Sequence, residues 1–384
     1  MTTESLSGLR ILDLSRLTPG AYATLLAADM GADVVKVEQP GSGDYLRTLV
    51  PPAFLYLCRN KKSVTLDLKT DAGRAVFYRL CESADIVVES FRPGVCARLG
   101  IDYATLLRVN PRIIMCSLSG FGQSGPYRDR SGHDLNYLGV AGALSLMGEP
   151  LGPPSHSTGI AVADFNASMF TVLSLVSAVL ARERFGVGQY IDVSMTDCMS
   201  SWMGRYVAEH MSDTNRTRQA MMSRPGYGVY LCADGKYLTL GCVEDVFWQN
   251  LISALPAEHE LQGYRASERR EANQGTVEEL LGRLFADRPR DTWLAQLEVA
   301  DVPVAPVNMF EEIHDDPQLR ARNLFVDNPD NPGVPYQRFP VLSSTNANRP
   351  PERAPAMGEN TNEILTEAGY GLDEIDALRR NGVI

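Results

Sequence analysis

The chain has 384 residues, of which 44% are hydrophobic and 22% are charged, and its formal net charge is −11. This length exceeds what one hydrophobic core usually supports, so two domains are expected. The negative charge would repel the phosphates of nucleic acids and anionic membranes, and we therefore expect neither kind of partner.

The first half of the chain alternates short apolar runs with helical patterns. The apolar runs predict strands over residues 10–14, 33–38, 63–68, 84–89 and 112–118. Helical spacing predicts helices over residues 21–30, 72–81 and 103–109. Such an alternation is typical of an α/β fold with a mostly parallel sheet.

The second half of the chain has a different character. Residues 226–241 predict a hairpin that turns at 233–235, helical segments follow, and residues 301–307 predict a strand. Residues 328–357 are dense in proline and asparagine, and helical spacing returns after them. We therefore expect a large domain over 1–200, a small domain over 225–310, and an irregular linker with a C-terminal segment over 311–384 that returns to the large domain.

The cysteine pattern and the N-terminal sequence bear on the cellular location of the protein. The seven cysteines form no C-x-x-C pair and no Cys/His cluster at metal-ligand spacing, so we expect free thiols and no metal site. The N-terminus lacks a long apolar run, and serines interrupt the most apolar stretch, residues 169–181. These features predict a cytoplasmic protein that is neither secreted nor membrane-spanning.

A glycine motif follows the predicted strand 112–118. Gly120, Gly122 and Gly125 satisfy G-x-G-x-x-G, but Pro126 and a polar segment follow instead of a helix. A dinucleotide fingerprint must open a helix whose N-terminus faces the pyrophosphate. We therefore interpret the glycines as part of a turn-rich loop and expect no nicotinamide or flavin cofactor.

Two titratable residues are candidates for chemistry. Asp164 directly precedes an apolar helical segment, residues 167–180, where an aspartate is most often an N-cap. A carboxylate held at a helix N-terminus is also well oriented for catalysis. His133 precedes Asp134 at the start of another helical segment, and a histidine in such a place, taken alone, is more often a hydrogen-bonded structural residue than a catalyst.

Several motifs in order resemble the family III coenzyme A transferases and their α-methylacyl-CoA racemase relatives. They are the start over 6–41, RPGV at 92–95, LSGFGQSGP at 118–126, GHDLNYL at 132–138, VADFNASM at 162–169, DVPVAPV at 301–307 and GENTNEILTEAGY at 358–370. This resemblance implies a Rossmann-like large domain with a mostly parallel sheet, a smaller α+β domain, and two interlocked chains in a homodimer. It also implies an acyl-CoA substrate and no tightly bound cofactor beyond the coenzyme A of that substrate.

The resemblance also carries individual residues over. Asp164 matches the family's active-site aspartate, which is a nucleophile in transferases and an acid/base in racemases. His133 matches the racemase acid/base on the opposite face of the substrate, and Glu244 matches the glutamate that pairs with it. Residues matching the coenzyme A site are Leu66, Asp67, Leu68, Lys69, Ser90, Phe91, Arg92, Arg98, Gly132, Asp134, Asn136 and Tyr137. Asp134 is also a candidate for local capping or hydrogen bonding.

These residues favour racemisation or epimerisation of a 2-methylacyl-CoA over coenzyme A transfer between carboxylic acids. Racemisation needs two groups of comparable basicity on opposite faces of Cα, and an imidazole facing a carboxylic acid supplies them near pH 7. His133 is expected to be buried so that its pKa suits proton transfer. The transferase remains the alternative, because the segment 38–63 is longer than in racemases and Gln39 stands where one racemase pattern has a basic residue. A catalytically silent subunit of a hetero-oligomer is a third hypothesis.

Overall fold

The structure, a computed structural model, describes residues 4–156, 159–214, 217–256, 258–328, 333–344 and 351–384. The chain divides into two units. The first unit contains residues 1–144, 156–206 and 323–384, and the second contains 145–155 and 207–322. The first unit is thus assembled from three separate parts of the chain.

A six-stranded parallel sheet forms the centre of the first unit. Its strands are β1 (Arg10–Asp13), β2 (Asp33–Glu38), β3 (Lys61–Thr65), β4 (Ile86–Glu89), β5 (Ile114–Ser119) and β6 (Tyr190–Ser194). Their order is β3-β2-β1-β4-β5-β6, and every neighbouring pair is parallel. The predicted α/β class is confirmed. The order reverses between β1 and β4, and such switch points are where doubly wound sheets bind ligands.

Helices pack around the sheet, because its central strands are buried almost throughout. They are α1 (Leu17–Asp29), α2 (Leu46–Leu49), α3 (Pro51–Leu57), α4 (Asp71–Cys81), α5 (Val95–Leu99), α6 (Tyr103–Val109), α7 (Asp134–Val140), α8 (Val162–Phe185) and α9 (Met195–Ser212). Side-chain caps begin two of them: Thr70 accepts from the Gly73 amide, and Asp102 accepts from the Thr105 amide. A single 3₁₀ turn, Ala143–Leu146, follows α7.

Helix α8 is apolar on two faces. Among the described residues it is the one helix long and apolar enough to cross a membrane, judged by length and composition alone. One face is buried in the first unit and includes Ala167, Val172 and Leu175. The other face exposes a stripe at helical spacing that consists of Met169, Leu173, Val176 and Leu180. Core packing therefore explains the apolar residues on the buried face of α8. The apolar stripe on the other face is left exposed in the single chain.

The second unit has its own sheet and core. Its elements are α10 (Arg218–Met222), β7 (Tyr227–Leu231), β8 (Tyr237–Gly241), α11 (Asp245–Ser253), α12 (Ser267–Ala272), α13 (Gln274–Phe285), α14 (Arg290–Val299), β9 (Val304–Pro306) and α15 (Pro317–Ala321), with 3₁₀ turns at Glu260–Tyr264 and Ile313–Asp315. Strands β7, β8 and β9 form an antiparallel sheet, in which β7 and β8 are the predicted hairpin. Trp248, Phe285 and Trp293 are fully buried in its core.

The last part of the chain belongs to the first unit. It forms β10 (Phe325–Val326), β11 (Tyr336–Gln337), α16 (Thr361–Glu367) and α17 (Leu372–Arg380). Ile364 and Ile375 belong to the same core as residues of β2 and α4. The amide of Asn360 donates to the Ser63 carbonyl at 2.9 Å, and the Asn360 side chain accepts from the Ser63 amide at 3.0 Å. Parts of the irregular segment predicted at 328–357 lie outside the described residues.

Candidate active site

A cleft of about 750 Å³ lies at the carboxyl ends of β1, β2, β4 and β5. Residues that directly follow these four strands form much of its wall, as expected at the switch point of a doubly wound sheet. The cleft brings together most of the predicted site residues of the first unit: Leu66, Asp67, Leu68, Lys69, Ser90, Phe91, Arg92, Gly132, His133, Tyr137 and Asp164. The predicted residues Arg98, Asp134 and Asn136 are not in its lining.

Asp164 is the third residue of α8 and not its N-cap, so the capping interpretation is wrong. The N-cap position is Ala161, which has no side chain able to cap. The capping carboxylate comes instead from Asp134, whose Oδ1 accepts the amides of Ala163 at 2.6 Å and Asp164 at 3.2 Å. Asp134 therefore caps a helix about thirty residues further along the chain, rather than its own segment. Its Oδ2 faces Nε2 of His156 at 3.8 Å.

This arrangement makes Asp164 a weak acid. Burial raises the pKa of its carboxyl to about 7, and the negative charge of Asp134 adds to the effect. A carboxylate at a helix N-terminus is normally stabilised by the free amides, but Asp134 occupies the two nearest ones. No described residue donates a hydrogen bond to the Asp164 carboxylate. Near neutral pH both protonation states of Asp164 are populated, as an acid/base group requires.

His133 lines the same cleft but is exposed in this chain. It is the N-cap residue of α7, with an extended backbone, and its amide donates to Oδ1 of Asn136 at 3.0 Å. The expectation that His133 is buried is therefore wrong for the single chain, because at the N-cap position of α7 its side chain makes no capping hydrogen bond and remains exposed.

Glu244 belongs to the second unit. It precedes α11 as that helix's N-cap residue, and its side chain is exposed. Its predicted pairing with His133 stays a prediction.

Two glycines make room for the ring of Tyr137. A Cβ on Gly120 would lie 2.3 Å from a ring carbon of Tyr137, and one on Gly132 would lie 2.8 Å from the same carbon. The Tyr137 hydroxyl donates to the Gly132 carbonyl, and burial raises its pKa to about 12. Gly120, Gly122 and Gly125 thus lie in a loop between β5 and α7, and they do not open a helix. Gly120 lacks a side chain and therefore allows the ring of Tyr137 to pack closely against the backbone.

Two arginines converge beside the cleft. The guanidinium groups of Arg98 and Arg128 both lie 3.4 Å from the point where a Cβ on Gly94 would be. Neighbouring guanidinium groups of this kind suit the phosphates of a nucleotide-containing ligand. Within the described ranges no cluster of His, Cys, Asp or Glu could hold a metal ion.

The sequence patterns missed several lining residues. Arg16 follows β1, Lys36 lies within β2, and Tyr45 precedes α2. The signal for Arg16 was available, because it lies two residues after the predicted strand 10–14, and the carboxyl ends of parallel strands meet at the ligand-binding edge. Tyr45 could not have been found this way, because it reaches the cleft through the long segment between β2 and β3.

Comparison with known proteins agrees with this geometry. A profile of CoA-transferase family III matches residues 6–361. The chain is 33% identical over 382 residues to a succinate–glutarate CoA-transferase of Agrobacterium fabrum, covering 94% of this chain and 95% of that protein. It is also 33% identical over 387 residues to human alpha-methylacyl-CoA racemase, covering 99% of this chain and 97% of that protein.

A solved structure resembles the whole fold. The crystal structure of a CAIB/BAIF family protein from Brucella suis matches with a TM-score of 0.86 and 32% sequence identity, and the match covers 96% of this chain and 100% of that one. The parallel sheet, the cleft at its switch point and the family profile agree. The chain belongs to CoA-transferase family III, whose members similar to it include both coenzyme A transferases and a racemase.

Proposed function

We propose that this enzyme racemises or epimerises 2-methylacyl-CoA thioesters by 1,1-proton transfer. The observation that carries the proposal is that Asp164, with its pKa raised to about 7, and His133 line one cleft. A group with such a pKa can take up a proton and return one at neutral pH. An imidazole can likewise act as an acid or as a base in proton transfer.

The reaction needs no redox chemistry. One group removes the proton from Cα, and the electron pair of the C–H bond passes into the thioester carbonyl to form an enolate. The other group then gives its proton to the opposite face of Cα, and the carbonyl re-forms. Each enantiomer is deprotonated by a different group, so Asp164 and His133 exchange roles between the two directions. In this proposal Glu244 orients His133, and coenzyme A is present only as part of the substrate.

Isotope exchange tests this proposal directly. We expect a chiral 2-methylacyl-CoA incubated in D₂O without any acceptor acid to gain deuterium at Cα and to lose optical purity. His133→Ala should abolish interconversion in both directions, because each direction uses both groups. Turnover that occurs only after an acceptor acid is added, with no deuterium at Cα, would reject racemisation. Retained interconversion in a folded His133→Ala protein would remove His133 from the mechanism.

Coenzyme A transfer is the second candidate function. The Asp164 carboxylate accepts no hydrogen bond from the described residues, so an oxygen is available for attack on a thioester carbonyl. That attack would release coenzyme A as a thiolate and leave an anhydride. The thiolate would then attack the aspartyl carbonyl, release the donor acid and form an aspartyl thioester. Trapping of Asp164 by hydroxylamine in the presence of an acyl-CoA would support this candidate.

The proposal extends to the assembly and the compartment. We propose an interlocked homodimer in which a second copy covers the exposed stripe of α8, Met169, Leu173, Val176 and Leu180. Sedimentation should then detect a dimer without a folded monomer on dilution, whereas a compact, active monomer would contradict it. The seven cysteines are free and buried, which supports a reducing compartment such as the cytoplasm.

A further inference from the structure

His156 faces a carboxylate that is in contact with the residue carrying the candidate chemistry. Its Nε2 lies 3.8 Å from Oδ2 of Asp134. The side chain of His156 is 40% exposed, whereas that of Asp134 is only 13% exposed. The imidazole can therefore exchange a proton with the solvent, and its positive charge then lies beside a carboxylate that is largely shielded from water.

The two carboxylate oxygens of Asp134 have different surroundings. Oδ1 accepts the amides of Ala163 and Asp164 at the start of α8. Oδ2 is buried and accepts no hydrogen bond from the described residues. Burying a charged oxygen without a donor costs free energy, and a nearby positive charge lowers that cost. Within the described part of the chain, His156 is the titratable cation that lies within ion-pair distance of this oxygen.

Asp134 connects this contact to Asp164. Its Oδ1 accepts the Asp164 amide at 3.2 Å. Burial is the larger cause of the raised pKa of Asp164, and the negative charge of Asp134 is the second cause. A positive charge beside Asp134 offsets this second cause and leaves burial unchanged. A change of charge at His156 is therefore felt at Asp164 through the carboxylate between them.

Other ionisable groups act on the same two carboxylates. Burial raises the pKa of Tyr137 to about 12, the charges of Asp164 and Asp134 add to the shift, and Arg92 opposes it. Tyr137 is therefore neutral near pH 7, and an arginine keeps its charge throughout the working range. His133, which directly precedes Asp134, has its own predicted role at Cα and no capping hydrogen bond from its side chain.

We propose that His156 is a positioning residue that acts through Asp134 on the protonation state of Asp164. The protonated imidazole pairs with Asp134 and favours the ionised Asp164 carboxyl. The neutral imidazole leaves the charge of Asp134 uncompensated and favours the protonated carboxyl. Binding of a proton at one end thus opposes binding at the other, which widens the pH range over which both forms of Asp164 are populated.

The effect on catalysis rests on the proposed function, in which Asp164 exchanges a proton with Cα. The coupling itself is a property of the ligand-free protein, and it can be measured without substrate. This difference allows the coupling and the reaction to be tested separately.

Opposite changes of charge at residue 156 test the coupling. His156→Gln removes the titratable charge, and His156→Lys makes a positive charge permanent. We expect the midpoint of the Asp164 titration to rise in His156→Gln and to fall in His156→Lys, each by roughly 0.3–1 pH unit. The carboxyl-carbon NMR signal of ¹³C-labelled aspartate measures this midpoint, and its loss in Asp164→Asn identifies the signal. The Asp164 limb of the pH–rate profile for Cα exchange should move in the same directions.

Two comparisons separate this coupling from a structural role of His156. His210→Gln changes an exposed histidine in the last turn of α9, outside the cleft lining, and should leave the midpoint unchanged. Asp134→Asn keeps an oxygen that can cap α8 but removes the charge. In that background both substitutions at residue 156 should shift the midpoint much less than in the parent protein.

Three outcomes decide the proposal. A midpoint that neither substitution at residue 156 moves, or that both move in the same direction, would overturn it. Shifts of equal size with and without the Asp134 charge would also overturn it, because His156 would then act without Asp134. Shifts in the expected directions in a protein that incorporates no deuterium at Cα would support the role of His156 and reject racemisation.

Discussion

Asp13 is buried and Asp164 is partly buried in the first unit, and the two aspartates differ in acidity because their partners differ. Burial acts to raise the pKa of Asp13, but Lys36 and Lys61, with the hydroxyls of Ser15 and Thr24, lower it to about 2. Burial raises the pKa of Asp164 to about 7, and its charged neighbour, Asp134, acts in the same direction.

The comparison separates a structural carboxylate, Asp13, from the candidate catalytic carboxylate, Asp164. Asp13 ends β1 and fixes the adjoining elements through hydrogen bonds and ion pairs, so its charge is fully compensated. The described residues supply no cation or hydrogen-bond donor to the Asp164 carboxylate, so binding of a ligand or a proton can change its charge at a small cost in free energy. Perturbed acidity of this kind is concentrated at functional sites.

The largest expected effect is a loss of Cα proton exchange when Asp164 is changed. Asp164→Asn keeps the side-chain volume but cannot exchange a proton, so Cα exchange should fall by roughly 10²–10⁴-fold for a lost acid/base. Deuterium incorporation by the purified variant measures this, and circular dichroism establishes that it is folded. Asp197→Asn, in the first turn of α9 and outside the cleft lining, is the matched control and should retain activity. A folded, fully active Asp164→Asn protein would contradict the assignment.

The second effect is on stability at the compensated carboxylate. Asp13→Asn leaves Lys61 buried without its counter-charge, while Lys36 keeps its pair with Asp44, and the free energy of unfolding should fall by about 3–5 kcal/mol. Because the pKa of Asp13 is lowered, its contribution is present above about pH 4 and is lost as the pH falls towards 2. Urea denaturation at pH 7 measures the loss. As a control, Glu82→Gln breaks the exposed ion pair with Arg79 and should lower the free energy of unfolding by under about 1 kcal/mol.

The third effect is a gain in the free energy of unfolding rather than a loss. Since the folded-state pKa of Asp164 is raised to about 7, its ionised form destabilises the folded protein, and the cost grows as the pH rises from about 4 to about 7. Asp164→Asn should therefore raise the free energy of unfolding by about 1–3 kcal/mol at pH 8, after allowance for partial exposure, and change it little at pH 4. A loss of stability at pH 8 would indicate that the carboxylate supports the helix start.

The smallest effect concerns the neighbour of Asp164. In Asp134→Asn the amide oxygen still accepts the amides of Ala163 and Asp164, but the negative charge is gone. The pKa of Asp164 should fall while staying above its ordinary value, because burial is the larger cause of its shift. The limb of the pH–rate profile that belongs to Asp164 should move to lower pH. Asp134→Ala should also cost about 1 kcal/mol from the lost cap. A profile unchanged in Asp134→Asn would contradict the coupling.

Local patterns determined much of the fold. Strand-length apolar runs separated by helical spacing predicted five of the six strands of the parallel sheet, and the observed strands agree with them within a few residues. The missed strand, β6, is half-exposed, with Tyr190 and Asp192 on its accessible side, so it lacks a continuous apolar run. Motifs in a fixed order also indicated the family. The resemblance to that family then singled out Asp164 and the predicted residues that line the cleft.

Tertiary contacts decided the chemistry of the site. The sequence made Asp164 a candidate N-cap, but Asp134 caps α8 from another helix, and no local pattern encodes a contact across about thirty residues. Arg16 meets Tyr45 and Phe91 only because β1, β2 and β4 are neighbours in the sheet. Secondary structure follows from periodicity over a few residues, whereas acidity and exposure depend on which distant groups the fold brings together. That is why the sequence identified Asp164 as a candidate while only the structure revealed its neighbours.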